Sequence, residues 1–350
     1  MDTQLSPLKW LSPDRSPFVL EGFPFLEKEG VYRRLSLNPP KPLPPSVEEL
    51  ANCTAGGQIR FHGVFQKLVI RARLTSGLTM DHFAATGQCG FDCYLSKDTT
   101  PPRYYGTTRL DFTKDQYEAA VVELNQPMEL EVIVNFPLYT GVSQVLLGFD
   151  PAAELSPPQP RQDDRRIVVY GTSITQGGCA SRPGMLFTNI LSRRLNREFV
   201  NLGFSGSGKC EPELALAIRE IERTALLIVD TDANCPDEKW IAEKYPEFLR
   251  LYRERYPKIP ILLLSRPPFA KDLIQEEMLQ KRQAKRDIIQ QVVAQRVDAG
   301  DKNIYFLDGE LLYDPEDFEE YTVDGVHATD LGFYQMADHL LPFLCEILKD

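Results

Sequence analysis

The chain has 350 residues, a length that suits about two domains, and 43% of its residues are hydrophobic, which is enough to build a substantial core. Its 39 lysines and arginines are outnumbered by 50 acidic residues, and the formal net charge of -11 disfavours a protein built to bind nucleic-acid phosphates and gives no polybasic signature for anionic membranes. The longest apolar runs, such as residues 225–229, are far shorter than the roughly 20 residues that span a bilayer. We therefore expect no nucleic-acid partner and no membrane insertion.

The seven cysteines are an odd number and lie far apart in the chain, which is not typical of a disulfide framework. Cys89 and Cys93 are close in sequence, but no second cysteine pair or histidine cluster completes a zinc set. The first residues contain no basic segment followed by an apolar one, as a secretory signal would. We therefore expect free thiols, a cytoplasmic location and no metal site, with a leader removed from a longer precursor as the alternative.

The first half of the chain predicts antiparallel strands. Apolar and polar residues alternate over residues 67–75 and again over residues 128–136. A period of two is typical of half-buried strands, because successive side chains point to opposite faces of a sheet. Several such strands, separated by Gly, Pro and Asp turns, predict an all-β jelly-roll or sandwich domain over residues 1–154. A proline-rich and then charged run over residues 155–164 is typical of a linker.

The pattern changes after this linker. Short apolar runs that read as buried strands occur at residues 166–170, 198–203, 225–230, 260–265 and 303–308. Stretches of helical character lie between them, and this alternation is typical of a parallel sheet covered on both faces. We therefore predict that residues 165–350 form a three-layer, doubly wound α/β domain around a five-stranded parallel sheet of the flavodoxin-like type.

The residues that follow these strands are the candidates for chemistry, because ligands of an open parallel sheet bind beyond the carboxyl ends of its strands. Ser173 follows the first strand, Gly206 the second and Asn234 the third, while Asp324 and His327 precede the last helix. Taken singly, each has an ordinary explanation as a helix cap, a turn former or a loop hydrogen bond. Together they supply the nucleophile, base, carboxylate and donors that acyl transfer needs.

This set of residues, in this order, resembles the SGNH (GDSL-type) hydrolase superfamily of esterases and acyl hydrolases, and the resemblance covers the second half of the chain. The first half is similar to the N-terminal β-sandwich of one branch of these enzymes. Gly90-Phe-Asp92-Cys-Tyr94 resembles the Gly-x-Asp-Leu-Tyr motif of that branch, and residues 137–150 resemble the segment that leads out of it.

The resemblance implies that Ser173 is the nucleophile, His327 its general base and Asp324 the carboxylate that orients the imidazole. The chemistry supports these roles independently. A serine hydroxyl is a weak nucleophile and needs a base that works near neutral pH, which histidine supplies. Asp324 and His327 are close enough in sequence for their side chains to meet within one turn.

The resemblance also implies an oxyanion hole made by the backbone N–H groups of Ser173 and Gly206 and by the side-chain amide of Asn234. The chain departs from the family pattern here, because Asp232-Ala-Asn234-Cys replaces the usual Gly-x-Asn-Asp. We expect Asp230 or Asp232 to support the asparagine in place of the missing aspartate.

Two basic residues, Arg266 and Lys209, lie near predicted strand ends and are candidates for binding an anionic or polyol substrate, although exposed surface charges would look the same. Cys179 and Cys210 lie close in sequence to Ser173 and Gly206 and are expected to border the pocket without acting as nucleophiles. The remaining histidines are expected to be structural or exposed: His62, His82 and His339.

The sequence therefore predicts a cofactor-free serine esterase that forms an acyl-enzyme, since neither a dinucleotide loop nor a phosphate-binding loop is present. The family resemblance favours a short acyl group, acetyl above all, on a carbohydrate or small polyol, with the sandwich covering one side of the active site. The alternatives are an acyltransferase with the same triad, a carbohydrate-binding protein without activity, and a phosphate-ester hydrolase. The last is disfavoured because this sequence contains no clustered metal ligands. The oligomeric state is left open.

Overall fold

The computed structural model describes residues 7–97 and 100–349, which are organised around one antiparallel and one parallel β-sheet. The antiparallel sheet contains β1 Lys9–Leu11, β2 Val19–Glu21, β3 Gln58–Leu74, β4 Asp92–Ser96, β5 Arg103–Thr107, β6 Gln116–Asn135, β7 Val142–Phe149 and β8 Glu154–Ser156. The parallel sheet contains β9 Arg166–Gly171, β10 Phe199–Gly203, β11 Thr224–Asp230, β12 Ile261–Leu264 and β13 Ile304–Leu307.

Nine helices connect or cover these strands in the described part of the chain. They are α1 Leu26–Glu29, α2 Pro45–Leu50, α3 Ala85–Gln88, α4 Ser173–Gln176, α5 Phe187–Leu195, α6 Pro212–Ile218, α7 Glu238–Arg253, α8 Glu276–Asp298 and α9 Asp330–Ile347. Short 3-10 turns occur at Pro183–Met185, Asp232–Asn234, Ala270–Leu273, Gly309–Leu312 and Phe318–Tyr321. Within residues 7–97 and 100–349, none of the helices has the length and apolar character needed to cross a membrane.

The antiparallel sheet has the strand order β1-β7-β3-β6-β4-β5, and β2 and β8 also pair with β3. The alternation that predicted strands in this half is observed on β3, where Leu68, Ile70 and Ala72 are buried while Arg71 and Arg73 are exposed. The prediction of a β-rich N-terminal half is thereby confirmed, whereas a jelly-roll arrangement of its strands stays a prediction.

The parallel sheet has the order β10-β9-β11-β12-β13, which is the flavodoxin-like order 2-1-3-4-5. Val168 and Tyr170 of β9 pack in a core with α6, α7 and α8, while Ile167 and Val169 face a second core with α5 and α9. The sheet is therefore buried on both faces, as its continuous apolar strands predicted, and the α/β architecture is confirmed.

The two sheets follow one another in sequence, but their packing is shared. Leu35 and Val47 from the N-terminal half lie in the core with α6–α8, and Phe83 and Tyr139 lie in the core with α5 and α9. Arg34, which has no exposed surface, donates hydrogen bonds to backbone carbonyls of β10. Hydrophobic packing therefore crosses the predicted division of the chain into residues 1–154 and 165–350 with a linker at 155–164. That division stays a prediction.

The Gly-x-Asp-Leu-Tyr-like segment forms part of this junction. Asp92, with no exposed surface, accepts hydrogen bonds from Arg182 Nη1 and from the backbone N–H of Gly184, both at 2.8 Å. The hydroxyl of Tyr94 accepts a hydrogen bond from Arg182 at 2.6 Å and donates one to the carbonyl of Gly184. We call Asp92, Tyr94, Arg182 and Gly184 the Asp92 clamp, because they join β4 to the turn before α5.

Candidate active site

Ser173 lies at the carboxyl edge of the parallel sheet, where β9 ends and the four-residue helix α4 begins. The helix cap is Thr172, whose hydroxyl accepts a hydrogen bond from the backbone N–H of Ile174 at 3.3 Å. Because Thr172 takes this structural role, the hydroxyl of Ser173 is not used as a cap. Ser173 is half-buried, so its hydroxyl remains accessible from the edge of the sheet.

Asp324 and His327 lie in a tight loop before α9. Asp324 Oδ1 accepts hydrogen bonds from the backbone N–H groups of Val326 at 3.0 Å and His327 at 2.8 Å. Asp324 Oδ2 lies 2.7 Å from His327 Nδ1, and His327 Nε2 lies 2.9 Å from Ser173 Oγ. The fold therefore brings these three side chains into one hydrogen-bonded chain, although Ser173 and His327 are 154 positions apart.

The surroundings of Asp324 favour its ionised form. Partial burial raises the pKa of this carboxyl group, but hydrogen bonds from the backbone N–H of His327, from its ring and from the backbone N–H of Val326 lower the pKa below its ordinary value. An ionised oxygen beside Nδ1 requires the neutral ring to carry its proton on that nitrogen. The lone pair of Nε2 then faces the hydroxyl of Ser173, as a general base requires.

The donors expected for an oxyanion hole lie on the loops after β10 and β11. Gly206 adopts φ 67°, a left-handed conformation that suits glycine, in a turn where Ser207 and Gly208 donate to the carbonyl of Phe204. Asn234 Nδ2 donates to the same carbonyl at 3.2 Å, which leaves its second amide N–H free to donate elsewhere. Within residues 7–97 and 100–349, the backbone N–H groups of Ser173 and Gly206 have no protein acceptor.

Asp232 supports the turn that carries Asn234. Its Oδ2 accepts a hydrogen bond from the backbone N–H of Arg266 at 2.9 Å, and its Oδ1 lies 3.6 Å from Lys285 Nζ. Lys285 also donates to the carbonyls of Asp232 and Cys235, so the turn is fixed on both sides of Asn234. This arrangement gives Asp232 the supporting position that the sequence left open between Asp230 and Asp232.

Asp230 has a different environment at the end of β11. It accepts a hydrogen bond from the hydroxyl of Thr175 on α4 at 2.6 Å and has no cationic partner among the described residues. Burial raises the pKa of Asp230 to about 7, and the nearby charge of Asp232 acts in the same direction while the Thr175 hydrogen bond opposes it.

The structure does not support the predicted substrate-binding role of Arg266. Its side chain is only 5% exposed, and its guanidinium pairs with both oxygens of Asp272 at 2.8 and 2.9 Å. We therefore assign Arg266 to the support of its own loop. Lys209 is half-buried and uses its backbone to bind Tyr170 and Trp240. Among the described residues, neither a hydrogen bond nor a salt bridge joins the Lys209 side chain to Ser173 or His327, and its substrate-binding role stays a prediction.

Comparisons with known proteins identify both halves of the chain. Residues 164–345 match the GDSL-like lipase/acylhydrolase family, and residues 8–155 match the GxDLY family, the N-terminus of SGNH-hydrolase-type esterases. The chain belongs to the GDSL-like lipase/acylhydrolase family. It is a carboxylic ester hydrolase, and both the superfamily and the branch suggested by the sequence are confirmed.

Solved structures resemble this GDSL-like hydrolase over nearly its whole length. A GDSL-like lipase from Bacteroides ovatus ATCC 8483 is 26% identical, with 98% of each chain covered and a TM-score of 0.89. The salicylyl-acyltransferase SsfX3 from a tetracycline biosynthetic pathway is 16% identical (97% of each chain, TM-score 0.73), and a family two carbohydrate esterase from Cellvibrio japonicus is 15% identical (99% of each chain, TM-score 0.64). The likeness to the acyltransferase and to the carbohydrate esterase shows that they share the fold of this chain. No match to a curated protein sequence was found.

The N-terminal half of the hydrolase also contributes to the site, which the sequence did not assign to particular residues. The hydroxyl of Tyr139 donates a hydrogen bond to the backbone carbonyl of Ser173 at 3.1 Å. Gly178 packs against this hydrogen bond, since a Cβ there would be 2.9 Å from Tyr139 Oη and 3.2 Å from both the Ser173 carbonyl oxygen and His327 Cδ2. Tyr139 falls in the segment singled out as a family resemblance, which was the available signal.

His82 lies beside the loop that carries Asp324 and His327. Its side chain is 37% exposed, in keeping with one of the two environments expected for it, but its Nε2 lies 3.9 Å from Asp324 Oδ2. His82, Cys179 and His327 each have a ring nitrogen or sulfur atom that could bind a metal, and these three atoms lie within 4.8 Å of one another. Cys179 thus lies close to His327, and its place at the border of the substrate pocket stays a prediction. Spacing in the sequence gives no signal that His82 joins these residues.

Proposed function

We propose that this chain is a serine esterase that hydrolyses a short-chain ester, acetyl above all, on a carbohydrate or small polyol by way of an acyl-enzyme. The observation that carries the proposal is the chain of hydrogen bonds from Ser173 Oγ through the imidazole of His327 to Asp324, with links of 2.9 and 2.7 Å. The carbohydrate esterases among proteins of the same fold support a glycan ester as substrate.

In the first step, Ser173 Oγ attacks the ester carbonyl while His327 Nε2 takes the hydroxyl proton. The carbon–oxygen double bond opens and its electron pair moves onto the carbonyl oxygen. Asp324 remains ionised beside Nδ1 and stabilises the imidazolium that forms, in keeping with its lowered pKa. The half-exposed position of Asp324 and His327 allows this change of charge without a large desolvation cost.

The developing oxyanion is held by the backbone N–H groups of Ser173 and Gly206 and by the free amide N–H of Asn234. Two sets of contacts hold Asn234 in position. The Phe204 carbonyl fixes Asn234, and Lys285 together with Asp232 fixes the turn behind it. Donors that are already positioned stabilise the intermediate without reorganising at the moment of reaction.

In the second step, His327 returns its proton to the leaving alcohol oxygen as the carbon–oxygen bond breaks, which leaves the acyl group on Ser173. A water molecule then gives a proton to His327 and adds to the acyl carbon. The Ser173–acyl bond breaks, the proton returns to Ser173 Oγ and the acid leaves. The N-terminal half shapes access to this site, since Tyr139 binds the Ser173 carbonyl and His82 borders Asp324.

The proposal is tested with Ser173→Ala and a chromogenic acetate ester. We expect turnover to fall by about 10⁴-fold or more, with an unchanged melting temperature, because the hydroxyl removed is the nucleophile and is not a helix cap. Activity above a few percent would contradict the assignment. Wild-type activity should also fall at acid pH, because a protonated imidazole cannot accept the serine proton, and a flat profile from about pH 5 to 8 would remove histidine from the mechanism. Acetylated glycans and esters of increasing acyl length then define the substrate.

An acyltransferase is the second candidate, and it is favoured by the likeness to SsfX3 over 97% of the chain. The same acyl-enzyme serves both reactions, and they differ in whether an alcohol or water takes the acyl group. Product analysis with and without sugar or polyol acceptors separates them: a new ester indicates transfer, and free acid alone indicates hydrolysis.

A further inference from the structure

We propose that His82, Cys179 and His327 form a zinc-binding site and that zinc bound there reversibly inhibits the esterase. The inhibitory part of this proposal rests on the proposed function of His327, whereas the binding of zinc does not. The carrying observation is the convergence of two imidazoles and one thiol, with a ligand atom of each within 4.8 Å of the others.

The three ligands come from separate segments whose backbones are fixed. His82 lies in the segment after β3, which the buried side chain of Gln88 holds: its amide oxygen accepts from Thr79 and Met80, and its amide nitrogen donates to the carbonyls of Met80 and Phe83.

Cys179 lies in the loop after α4 with φ 74°, and the neighbouring Ser181 is bound through its backbone N–H and its hydroxyl to the carboxylate of Asp330. His327 is held in its loop by the Asp324 hydrogen bonds. None of the three ligands therefore depends on a new arrangement of the chain, and only side-chain rotation is needed to bring them together.

The chemistry of this set suits zinc. Zinc takes cysteine and histidine ligands at about 2.0–2.3 Å in tetrahedral sites, which puts the ligand atoms roughly 3.3–3.8 Å apart. The ligand atoms lie up to 4.8 Å apart in the structure, and rotation of the half-exposed imidazoles brings them to the shorter separations that zinc requires. Three protein ligands leave one position for water. Asp324 lies next to both imidazoles, in the position of the carboxylates that commonly orient zinc-binding histidines.

Without metal, burial and then the charge of Asp324 raise the pKa of the Cys179 thiol to about 12. Zinc displaces the thiol proton to solvent and binds the thiolate. Whichever nitrogen of His327 binds the metal, one hydrogen bond of the catalytic chain is lost: the bond to Ser173 if it is Nε2, or the bond to Asp324 if it is Nδ1. Bound zinc therefore stops turnover.

Direct binding is measured on Ser173→Ala, which keeps all three ligands and needs no activity. Zinc is titrated against a chromophoric chelator, and cobalt is bound in parallel to detect thiolate coordination by its charge-transfer absorption. We expect one zinc per chain and an affinity at least about tenfold lower when Cys179→Ser or His82→Asn is added. Cys345→Ser and His62→Asn, which alter an exposed cysteine and a histidine on β3, serve as matched controls and should leave the affinity unchanged.

Inhibition is measured on the wild-type chain with the acetate ester, followed by recovery with a chelator. In Cys179→Ser and in His82→Asn, the zinc concentration that halves each variant's own rate should rise at least about tenfold. Equal zinc affinity in Ser173→Ala with and without Cys179→Ser would overturn the site. Zinc binding through Cys179 and His82 that leaves turnover intact would support the site and contradict the role of His327 in catalysis.

Discussion

Two carboxylates, Asp92 and Asp324, each hold neighbouring groups in place, and they do so in opposite surroundings. Asp92 joins β4 to the turn before α5, whereas Asp324 binds Val326 and His327 within its own loop. Asp92 is fully buried and faces Arg182, whose guanidinium keeps its charge throughout the pH range in which proteins fold. Asp324 is 35% exposed and faces His327, whose charge changes in the proposed reaction. Both carboxylates also accept backbone N–H groups, so the geometry of binding is similar.

The difference in burial and in charged partner suits Asp92 to stabilising the fold and Asp324 to the proposed reaction. A permanent ion pair in a dry junction is costly to break, so the Asp92 clamp fixes how the two sheets meet. A carboxylate that must stabilise a transient imidazolium works better with partial access to solvent, because the charge on its partner appears and disappears. We therefore expect changes at Asp324 to affect turnover and changes at Asp92 to affect folding.

The largest expected effect is that of Asp324→Asn on turnover. The amide oxygen still accepts the backbone N–H groups of Val326 and His327, so the loop should keep its shape. The amide does not stabilise an imidazolium or hold the required tautomer, and kcat should fall by about 10⁴-fold. Steady-state kinetics and thermal melting of the same samples check this. A loss of less than tenfold, or a large fall in Tm, would contradict the comparison.

Asp92→Asn should give the opposite result. Removing the charge that faces Arg182 should lower the free energy of unfolding by about 3–5 kcal/mol, toward the lower end because Arg182 is 18% exposed. The kcat of the folded fraction should not change. Urea unfolding and active-site titration measure the two quantities. The control is Glu118→Gln, which breaks the exposed pair with Arg71 and should change stability by no more than about 1 kcal/mol.

Much of the fold follows from local patterns. The alternation over residues 67–75 and 128–136 predicts strands of the antiparallel sheet, and the short apolar runs after residue 165 predict the five parallel strands, because burial on one or two faces sets the spacing of apolar residues. The sharing of cores between the two sheets was not predictable. Leu35 and Phe83 pack against the α/β half, and nothing in their own segments indicates which sheet they will meet.

The candidate site, like the fold, was predictable from the sequence only in part. Ser173 and the Asp324–His327 loop were predictable because the ends of parallel strands share one edge. His82 and Tyr139 reach the site only through the docking of the N-terminal half, which local spacing does not encode. Arg266 was expected to bind substrate because it follows a strand, but Asp272 neutralises it within the same loop.

Asp230 adds a third case to the comparison, because it is buried and has no cationic partner within residues 7–97 and 100–349. The folded chain keeps this carboxyl protonated up to about pH 7, whereas the unfolded chain releases the proton near the ordinary value of 3.8. Between these values the folded state binds more protons, so Asp230 makes the chain less stable as pH rises. Asp230→Asn should therefore raise Tm more at about pH 8 than at about pH 5.

Melting curves at the two pH values test this prediction. The replacement keeps an oxygen for the Thr175 hydroxyl, so the hydrogen bond at 2.6 Å should survive. The matched control is Asp298→Asn, which alters an exposed carboxylate at the end of α8 and should have the same effect at both pH values. A gain in Tm that does not depend on pH would show that Asp230 is ionised in the folded chain.

The smallest expected effect comes from a pair of glycines, one beside Asp92 and one beside His327, the partner of Asp324. At Gly184 an added Cβ would lie 2.3 Å from Tyr94 and 2.6 Å from Asp92 Oδ2, so Gly184→Ala must open the clamp and should lower Tm clearly. At Gly178 an added Cβ would lie 2.9 Å from Tyr139 Oη and 3.2 Å from both His327 Cδ2 and the backbone carbonyl oxygen of Ser173, and shifts of a few tenths of an ångström relieve these contacts.

Gly178→Ala should therefore leave Tm nearly unchanged and lower kcat by about tenfold or less, because a small displacement of His327 lengthens its bond to Ser173. Kinetics and melting curves of the two alanine variants, measured side by side, separate the two regions with the same chemical change. If Gly178→Ala lowered Tm as much as Gly184→Ala, the loop around His327 would be as rigidly packed as the clamp, and partial solvent access would not explain the difference between the two carboxylates.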